Sequence, residues 1–171
     1  MTLQPANDFL RCDYCETPHF PNPNADGIRV LGIASEYACP ACRNEPLAHA
    51  SVGGERMYYC EKCHGLLISM NVFPAIVEEL RSHHQSSEYA GKQPDWEGMK
   101  RLIKCPKCRQ PMDAHPYAGP GAVIIDSCSD CYLNWLDHGE LQRVVRAPDC
   151  RYIMPLDDEE RQHLKEAQLL G

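Results

Sequence analysis

Apolar residues recur at helical spacing in a short stretch near the middle of the chain. The stretch places them at positions i, i+3, i+4 and i+7, namely Phe73, Ile76, Val77 and Leu80. This spacing predicts an amphipathic helix that buries one face. Pro74 falls in the first turn, where the N–H that proline lacks would have no intrahelical partner.

A second short helix is predicted about seventy residues later. Leu141, Val144 and Val145 supply its apolar stripe. Asp137 and Glu140 have the spacing of an N-cap residue and its partner three positions on. We therefore expect Asp137 to accept the first free N–H groups of the helix while Glu140 reaches back.

Hairpin strands are predicted before each helix. Residues 52–59 and 122–127 contain β-branched or aromatic residues, and turn-forming runs flank them at 53–54 and 119–121. The longest apolar run, residues 121–125, is far too short to cross a bilayer. Because the N-terminus also lacks a signal-peptide pattern, we expect a cytoplasmic protein without membrane association.

Cysteine spacing gives these small elements a source of stability. Ten of the 11 cysteines form five Cys-x-x-Cys pairs, which begin at positions 12, 39, 60, 105 and 128. Two such pairs supply the four thiolates of a tetrahedral Zn²⁺ site. With 14 prolines and 11 glycines in 171 residues, the composition favours several small modules, each held by metal, over one large core.

An internal repeat decides which pairs belong together. The pair at Cys39 matches the pair at Cys105 with an offset of 66, and the pair at Cys60 matches the pair at Cys128 with an offset of 68. The second offset also aligns Leu67 with Trp135 and continues into the two predicted helices. Each unit is therefore predicted to consist of a knuckle, a hairpin, a second knuckle and a short helix.

These observations predict a small metal-stabilised α+β fold made of tandem zinc ribbons on a flexible tether. A partial N-terminal knuckle precedes the ribbons and a C-terminal helix with an acidic first turn follows them. The predicted units are an N-terminal segment (1–36), ribbon 1 with its helix (37–81), a polar linker (82–99), ribbon 2 with its helix (100–147) and a tail (148–171). Apolar residues such as Leu67 and Trp135 are expected to pack within their own ribbon.

Ribbon 2 resembles the "transcription factor zinc-finger" module, a bacterial zinc ribbon. The resemblance rests on Cys105-Pro-Lys-Cys108 and on the run from Cys128 to Leu141, above all on its part Trp-Leu-Asp-His-Gly-Glu-Leu. Ribbon 1 is similar in its four cysteines and its helix. The resemblance implies no catalytic activity, and it implies zinc binding through Cys39, Cys42, Cys60, Cys63, Cys105, Cys108, Cys128 and Cys131.

The knuckle turns differ from many zinc knuckles at one position. Many knuckles carry glycine after their second cysteine, whereas this chain has five other residues there: Glu16, Arg43, His64, Arg109 and Tyr132. His64 and His138 lie beside sites that already have four sulfurs, so we expect them to be surface residues or to support the ligands.

The first cysteine pair, Cys12 and Cys15, has no partner pair. It is similar to the second knuckle of a third ribbon, but only eleven residues precede it and none is cysteine. Three interpretations stay open: a remnant without metal, a site completed by His19, Cys150 or another histidine, and a site that two chains share as a homodimer. Cys150 by itself is expected to be an inert thiol.

Four thiolates leave zinc no open position for catalysis, so we do not expect an enzyme. We expect two zinc ions per chain, with a third at Cys12 and Cys15 if one chain completes that site, or half an ion more per chain if two chains share it. Iron also fits tetrahedral thiolate sites, but zinc is favoured in ribbons without a redox role.

Two functions are compatible with such a protein. The favoured one is a protein-interaction or regulatory adaptor. The alternative is a transcription-related factor that binds nucleic acid through a basic cluster, with Trp96 near it for stacking: Lys100, Arg101, Lys104, Lys107 and Arg109. The net charge of −7, which two Zn(Cys)₄ centres bring to about −11, disfavours phosphate binding.

Overall fold

The computed structural model describes residues 2–3, 9–43, 45–85, 89–90, 100–117 and 123–151, and at 2–3, 89–90 and 149–151 only the backbone. The predicted C-terminal helix, Trp96 and most of the predicted linker lie outside these residues. So does the side chain of Cys150.

Ribbon 1 extends beyond its predicted bounds of 37–81, to residues 29–83, and contains four strands and a helix. The strands are β4 (Arg29–Ala38), β5 (Pro46–Val52), β6 (Glu55–Tyr59) and β7 (Leu66–Ser69), and α1 (Phe73–His83) follows them. The turn at Gly53 and Gly54 joins β5 to β6, as expected. β4 was not predicted, because its sequence contains one glycine and three alanine or serine residues and has no long apolar run.

Ribbon 2 repeats the last part of this arrangement. Its strands are β9 (Asp113–Pro116), β10 (Ile124–Cys128) and β11 (Leu133–Leu136), and they lead to α2 (Glu140–Arg146) and a single 3₁₀ turn (Ala147–Asp149). The predicted α+β fold of tandem zinc ribbons is thus confirmed. In the described part of the chain, no helix is long and apolar enough to span a membrane.

Short strands complete the described structure. β1 (Thr2–Leu3), β2 (Leu10–Arg11) and β3 (Pro18–His19) form a small antiparallel sheet at the N-terminus. β8 (Tyr89–Ala90) and β12 (Cys150–Arg151) form a parallel pair. The N-terminal sheet holds the first cysteine pair in the connection between β2 and β3.

The two ribbons share one antiparallel sheet, with the strand order β4-β5-β6-β7-β11-β10-β9. The expectation of two separate ribbons on a flexible tether is therefore wrong. The last strand of each ribbon would be an open edge in isolation, and pairing β7 with β11 satisfies the backbone groups of both.

The junction has an approximate two-fold axis. Leu67 pairs directly with Trp135, and these are the residues that the repeat makes equivalent. On either side of this pair, Leu66 faces Leu136 and Ile68 faces Asn134. The repeat makes Leu66 equivalent to Asn134 and Ile68 equivalent to Leu136, so the two-fold operation exchanges these two flanking pairs. The ribbons thus pack like the subunits of an isologous dimer within one chain.

The shared sheet has a different core on each face. On the helix side, Leu66, Ile68 and Leu136 pack with the buried faces of α1 and α2. On the other side, Leu67 and Trp135 belong to a cluster that includes the cysteines. Leu67 and Trp135 therefore join the two ribbons instead of packing each ribbon separately.

The helices also contact each other. Arg81 near the end of α1 donates hydrogen bonds to the carbonyls of Val144 (2.8 Å) and Val145 (3.1 Å) at the end of α2. The Val144 carbonyl also accepts the backbone N–H of the C-cap residue Ala147, and a cation at a helix C-terminus is favourable. The contact fixes α2 against α1 on the same face of the sheet.

The start of α2 corrects one prediction. Gly139 is the N-cap residue, with φ 79°, and no side chain caps the helix. Glu140 does reach back, because its Oε2 accepts the Asp137 N–H at 2.8 Å. The carboxylate of Asp137 instead accepts the buried indole N–H of Trp135 at 3.0 Å and pairs with Arg101. These two interactions are stronger than a hydrogen bond to a free N–H at the start of the helix, so Asp137 does not cap α2.

Trp135 requires a glycine beside it. A Cβ on Gly65 would lie 2.3 Å from Trp135 Cζ2 and 2.6 Å from Cη2, and Trp135 is fully buried. The indole therefore has no space into which it could move.

We predict that Gly65→Ala lowers the free energy of unfolding of the zinc-loaded protein by about 1–3 kcal/mol, because the added methyl group overpacks the core. Chemical denaturation would measure the change. The control is a double-mutant cycle with Trp135→Phe, which removes the atoms that clash. Equal losses in the two backgrounds would contradict this origin of the effect.

Candidate metal centres

Eight cysteines converge in two groups of four. The first contains Cys39, Cys42, Cys60 and Cys63, and the second contains Cys105, Cys108, Cys128 and Cys131; within each group all sulfurs lie within 4.8 Å of one another. The sulfurs of Cys39 and Cys63 are 3.6 Å apart, as are those of Cys108 and Cys128. A tetrahedral site with Zn–S distances of about 2.3 Å has sulfurs about 3.8 Å apart.

The donor set and its geometry therefore fit zinc, and each group can hold one ion. The groups are the two sets that the internal repeat predicts. Because four thiolates complete the tetrahedron, zinc bound here would be structural. The ten cysteines whose side chains the structure describes are free thiols, as metal ligation requires.

A left-handed residue closes every knuckle. The residue after the second cysteine of each pair has φ between 55° and 65°, a region that most L-residues avoid at some cost. The knuckle turn imposes this conformation even where glycine is missing. The residues concerned are Glu16, Arg43, His64, Arg109 and Tyr132.

Backbone hydrogen bonds shape the same turns. In the knuckle at Cys60, the amide of His64 donates to the Cys60 carbonyl at 2.8 Å, and the Cys60 amide donates to the Gly65 carbonyl at 2.9 Å. The knuckle at Cys105 has the same two bonds at 2.8 and 2.9 Å. These bonds hold the chain in a tight loop that points both sulfurs at one place.

Burial distinguishes the cysteines within each group. In both groups the first cysteine of each knuckle is buried and the second is half-buried. Burial raises the pKa of the Cys39 thiol and raises that of Cys63 to about 11. Without metal these thiols would hold their protons at neutral pH, so zinc binding must displace protons.

The two centres share one apolar cluster. Leu67 and Trp135 belong to it, and both are fully buried. The first cysteine of each of the four knuckles is also a member, and the second cysteine packs against the cluster, so the metal sites and the junction between the ribbons stabilise the same core. The other buried apolar members are Leu47, Ile103, Met112 and Leu133.

The N-terminal pair stands apart from these centres. Among the residues that the structure describes, no third group of ligands contains Cys12 or Cys15. His19 lies on β3 and is exposed, and it does not join the pair in such a group. Hydrogen bonds with the side chain and backbone of Thr17, and with the side chain of Cys12, lower the pKa of the exposed Cys15 to about 7.

Two histidines meet where the ribbons adjoin. The rings of His64 and His138 have centroids 5.3 Å apart, and His64 Nδ1 shares a hydrogen bond with the Tyr59 hydroxyl. Both histidines are exposed, and neither belongs to a four-cysteine group. Sequence reasoning missed their contact, because it depends on the pairing of β7 with β11.

The predicted basic cluster is exposed, but one member already has partners. Arg101 pairs with Asp137, and its Nη2 lies 3.6 Å from Asp126 Oδ2. Asp126 is 3% exposed, and a buried carboxylate needs a counter-charge. Arg101 is therefore a structural residue, and Lys100, Lys104, Lys107 and Arg109 remain as surface cations.

Burial also perturbs the acidic residues near α2. It raises the pKa of Asp126 to about 6, although Arg101 opposes the shift, and raises the pKa of Glu140 to about 7. Glu140 receives the Asp137 N–H and lies 3.3 Å from Arg143 Nη2. These partners only partly offset the loss of hydration.

We predict that Cys131→Ser abolishes zinc binding at the second centre and also weakens the first. Loss of the second ion disorders β11 and removes the neighbour of β7. The apparent zinc affinity of the first centre, measured by competition with a chromogenic chelator, should fall about tenfold or more, as expected for coupled sites. Ser129→Ala, an exposed change in the same knuckle, is the control. Unchanged affinity at the first centre would show that the ribbons are independent.

Glu140 gives a pH dependence of known sign. Its pKa is about 7 in the folded protein, against an ordinary value of 4.5, so between these pH values the folded state binds more protons than the unfolded state. The contribution of Glu140 to the free energy of unfolding therefore falls as pH rises through this range. Zinc release also makes the free energy of unfolding depend on pH. Comparing the unmodified protein with a variant at position 140 cancels this contribution, because both proteins bind the same zinc ions.

We predict that, as pH rises from 6 to 8, the free energy of unfolding of Glu140→Gln increases relative to that of the unmodified protein. The difference in the free energy of unfolding should grow by on the order of 1 kcal/mol, because glutamine does not ionise. Denaturant titrations at several pH values would measure it. Glu78→Gln, on the exposed face of α1, should show no such trend, and the same flat result for Glu140→Gln would disprove the assignment.

Comparison with known proteins identifies one of the ribbons. The family model described as "Transcription factor zinc-finger" matches residues 104–147. Searches of curated proteins and of solved structures return no significant match to the chain. Zinc ribbons of this type are typically not enzymes. Residues 104–147 thus form a zinc ribbon of the transcription factor zinc-finger type, and the second four-cysteine group at 39–63 is consistent with a tandem arrangement.

Proposed function

We propose that this protein is a non-enzymatic interaction module that binds a short protein segment in the cleft between its two leading knuckles. Both zinc ions would have a structural role, since four thiolates leave neither ion a position for water or substrate. The observation that carries the proposal is an exposed leucine at this cleft.

The cleft lies where the knuckles at Cys39 and Cys105 approach each other, and its volume is about 600 Å³. Leu102 lines it and is 83% exposed, so a partner that covers Leu102 would remove apolar surface from water. Both ribbons contribute to the lining: Glu36, Ala38, Cys39, Pro40, Arg43, Leu102, Lys104, Cys105, Pro106 and Arg109.

Other surfaces are less suited to a partner. β4 forms one edge of the shared sheet, and its pairing with β5 is interrupted by register shifts. β9 forms the other edge, and it is only four residues long and ends at Pro116. Short, bulged or proline-containing edges resist strand addition, and the apolar faces of α1 and α2 are already buried.

Charge at the cleft favours a short segment with an apolar side chain and one or two carboxylates. Arg43, Lys104 and Arg109 line the cleft together with a single acidic residue, Glu36. These cations can form local ion pairs at short range. A polyanion such as DNA would also meet the net charge of the whole chain, about −11 with two Zn(Cys)₄ centres.

Nucleic-acid binding remains the second candidate because Lys100, Lys104, Lys107 and Arg109 are exposed. It is weakened by the loss of Arg101 to Asp126 and Asp137. Its signature would be steep salt dependence, which a short peptide with one or two carboxylates does not produce.

We predict that a photo-reactive amino acid at position 102 cross-links a specific protein in an extract of the source cells. The same group at Glu78, on the exposed face of α1, should not. The purified partner should then bind the zinc-loaded protein, and Leu102→Asp should weaken binding at least tenfold without changing zinc content. Cross-linking that does not differ between the two positions would contradict the proposal, as would salt-sensitive nucleic-acid binding abolished by Lys104→Glu.

A further inference from the structure

The knuckle at Cys12 and Cys15 has the backbone of a finished zinc knuckle. The Cys12 amide donates to the Thr17 carbonyl at 3.1 Å, and the Glu16 amide donates to the Cys12 carbonyl at 2.9 Å. The knuckles at Cys60 and Cys105 have these two bonds between the same relative positions. The left-handed φ of 60° at Glu16 completes the match.

Strand register extends the match beyond the turn. In each hairpin that a second knuckle closes, the residue before the first cysteine pairs with the residue six positions after that cysteine. The N-terminal hairpin of β2 and β3 has the same register. The pairs are Arg11 with Pro18, Tyr59 with Leu66, and Ser127 with Asn134.

The N-terminal knuckle differs from the others in what covers it. In the two complete centres the first cysteine of each knuckle is at most 4% exposed, because an opposing knuckle lies against it. Here Cys12 is half-buried and Cys15 is exposed. Tyr14, between them, is 97% exposed. Among the residues that the structure describes, this turn is a ligand pair without an opposing pair.

We propose that Cys12 and Cys15 supply two thiolates of a third zinc site, and that the same pair of a second copy of the chain supplies the other two. Both sites that the chain builds internally consist of two knuckles facing one ion. A second copy offers the N-terminal knuckle a partner with the same turn, the same thiols and the same open side.

Symmetry makes this arrangement complete. A two-fold axis through the ion converts two thiolates into four, which is the tetrahedral set that structural zinc requires. The contact is isologous and closes at a dimer. Tyr14 and Phe20, which is 51% exposed, would gain cover from the partner. The proposal is independent of what binds at the cleft near Leu102.

The test is native mass spectrometry and elemental zinc analysis of the full chain under reducing conditions. We expect a dimer with about five zinc ions, or about two and a half per chain. The double variant Cys12→Ser/Cys15→Ser should be a monomer that has lost about half an ion per chain. Its thermal unfolding should be close to that of the unmodified protein, because the two complete centres remain.

Cys150→Ser is the matched control and should leave the dimer and its zinc content unchanged. A monomer with three ions would overturn the shared site, and loss of the third ion in Cys150→Ser would assign the missing ligand to the same chain. Two ions per chain, unaffected by the double variant, would mean that the pair binds no metal. A dimer that persists in the double variant would also overturn the proposal.

Discussion

The pairing of β7 with β11 is the interaction on which the rest of the structure depends. Leu67 and Trp135 meet at its approximate two-fold axis, and their side chains belong to the apolar cluster that the two four-cysteine centres share. The same pairing places α1 and α2 side by side and brings His64 close to His138. Two units too small to bury much surface alone thus obtain a common core.

Metal binding and packing of the core depend on each other. Zinc would hold each knuckle closed, and the knuckles place the strands whose apolar residues fill the junction. The core in turn buries the first cysteine of each knuckle and so limits access of water to the thiolates. Charged residues also depend on this arrangement. Arg101 forms ion pairs with Asp126 and Asp137, and Asp137 accepts a hydrogen bond from Trp135. Stability, metal content and ionisation are therefore expected to change together.

Cysteine spacing and the internal repeat were sufficient to predict the fold class, the two helices and two zinc-binding groups, because ligand spacing and helical periodicity are local properties. The junction was not predictable in this way. β7 pairs with β6 inside its ribbon and with β11 across the junction. Nothing in a single sequence shows that the last strand of a ribbon has this second neighbour. For the same reason Asp137 was assigned to the helix N-terminus, whereas Trp135 and Arg101 claim its carboxylate. β4 was missed although buried or half-buried positions alternate with exposed ones along it from Leu31 to Ala38, because Gly32, Ala34 and Ala38 are residue types that strands seldom contain.

Pulse-labelling hydrogen exchange across a denaturant titration of the zinc-loaded protein tests most directly whether the two ribbons are one unit. Peptides that cover β6 and β7 report on ribbon 1, and peptides that cover β10 and β11 report on ribbon 2. If the junction unites the ribbons, all of these peptides lose protection at one denaturant concentration. Two separate midpoints, with β7 protected after β11 has opened, would show that the ribbons fold independently and that their shared sheet contributes little to stability.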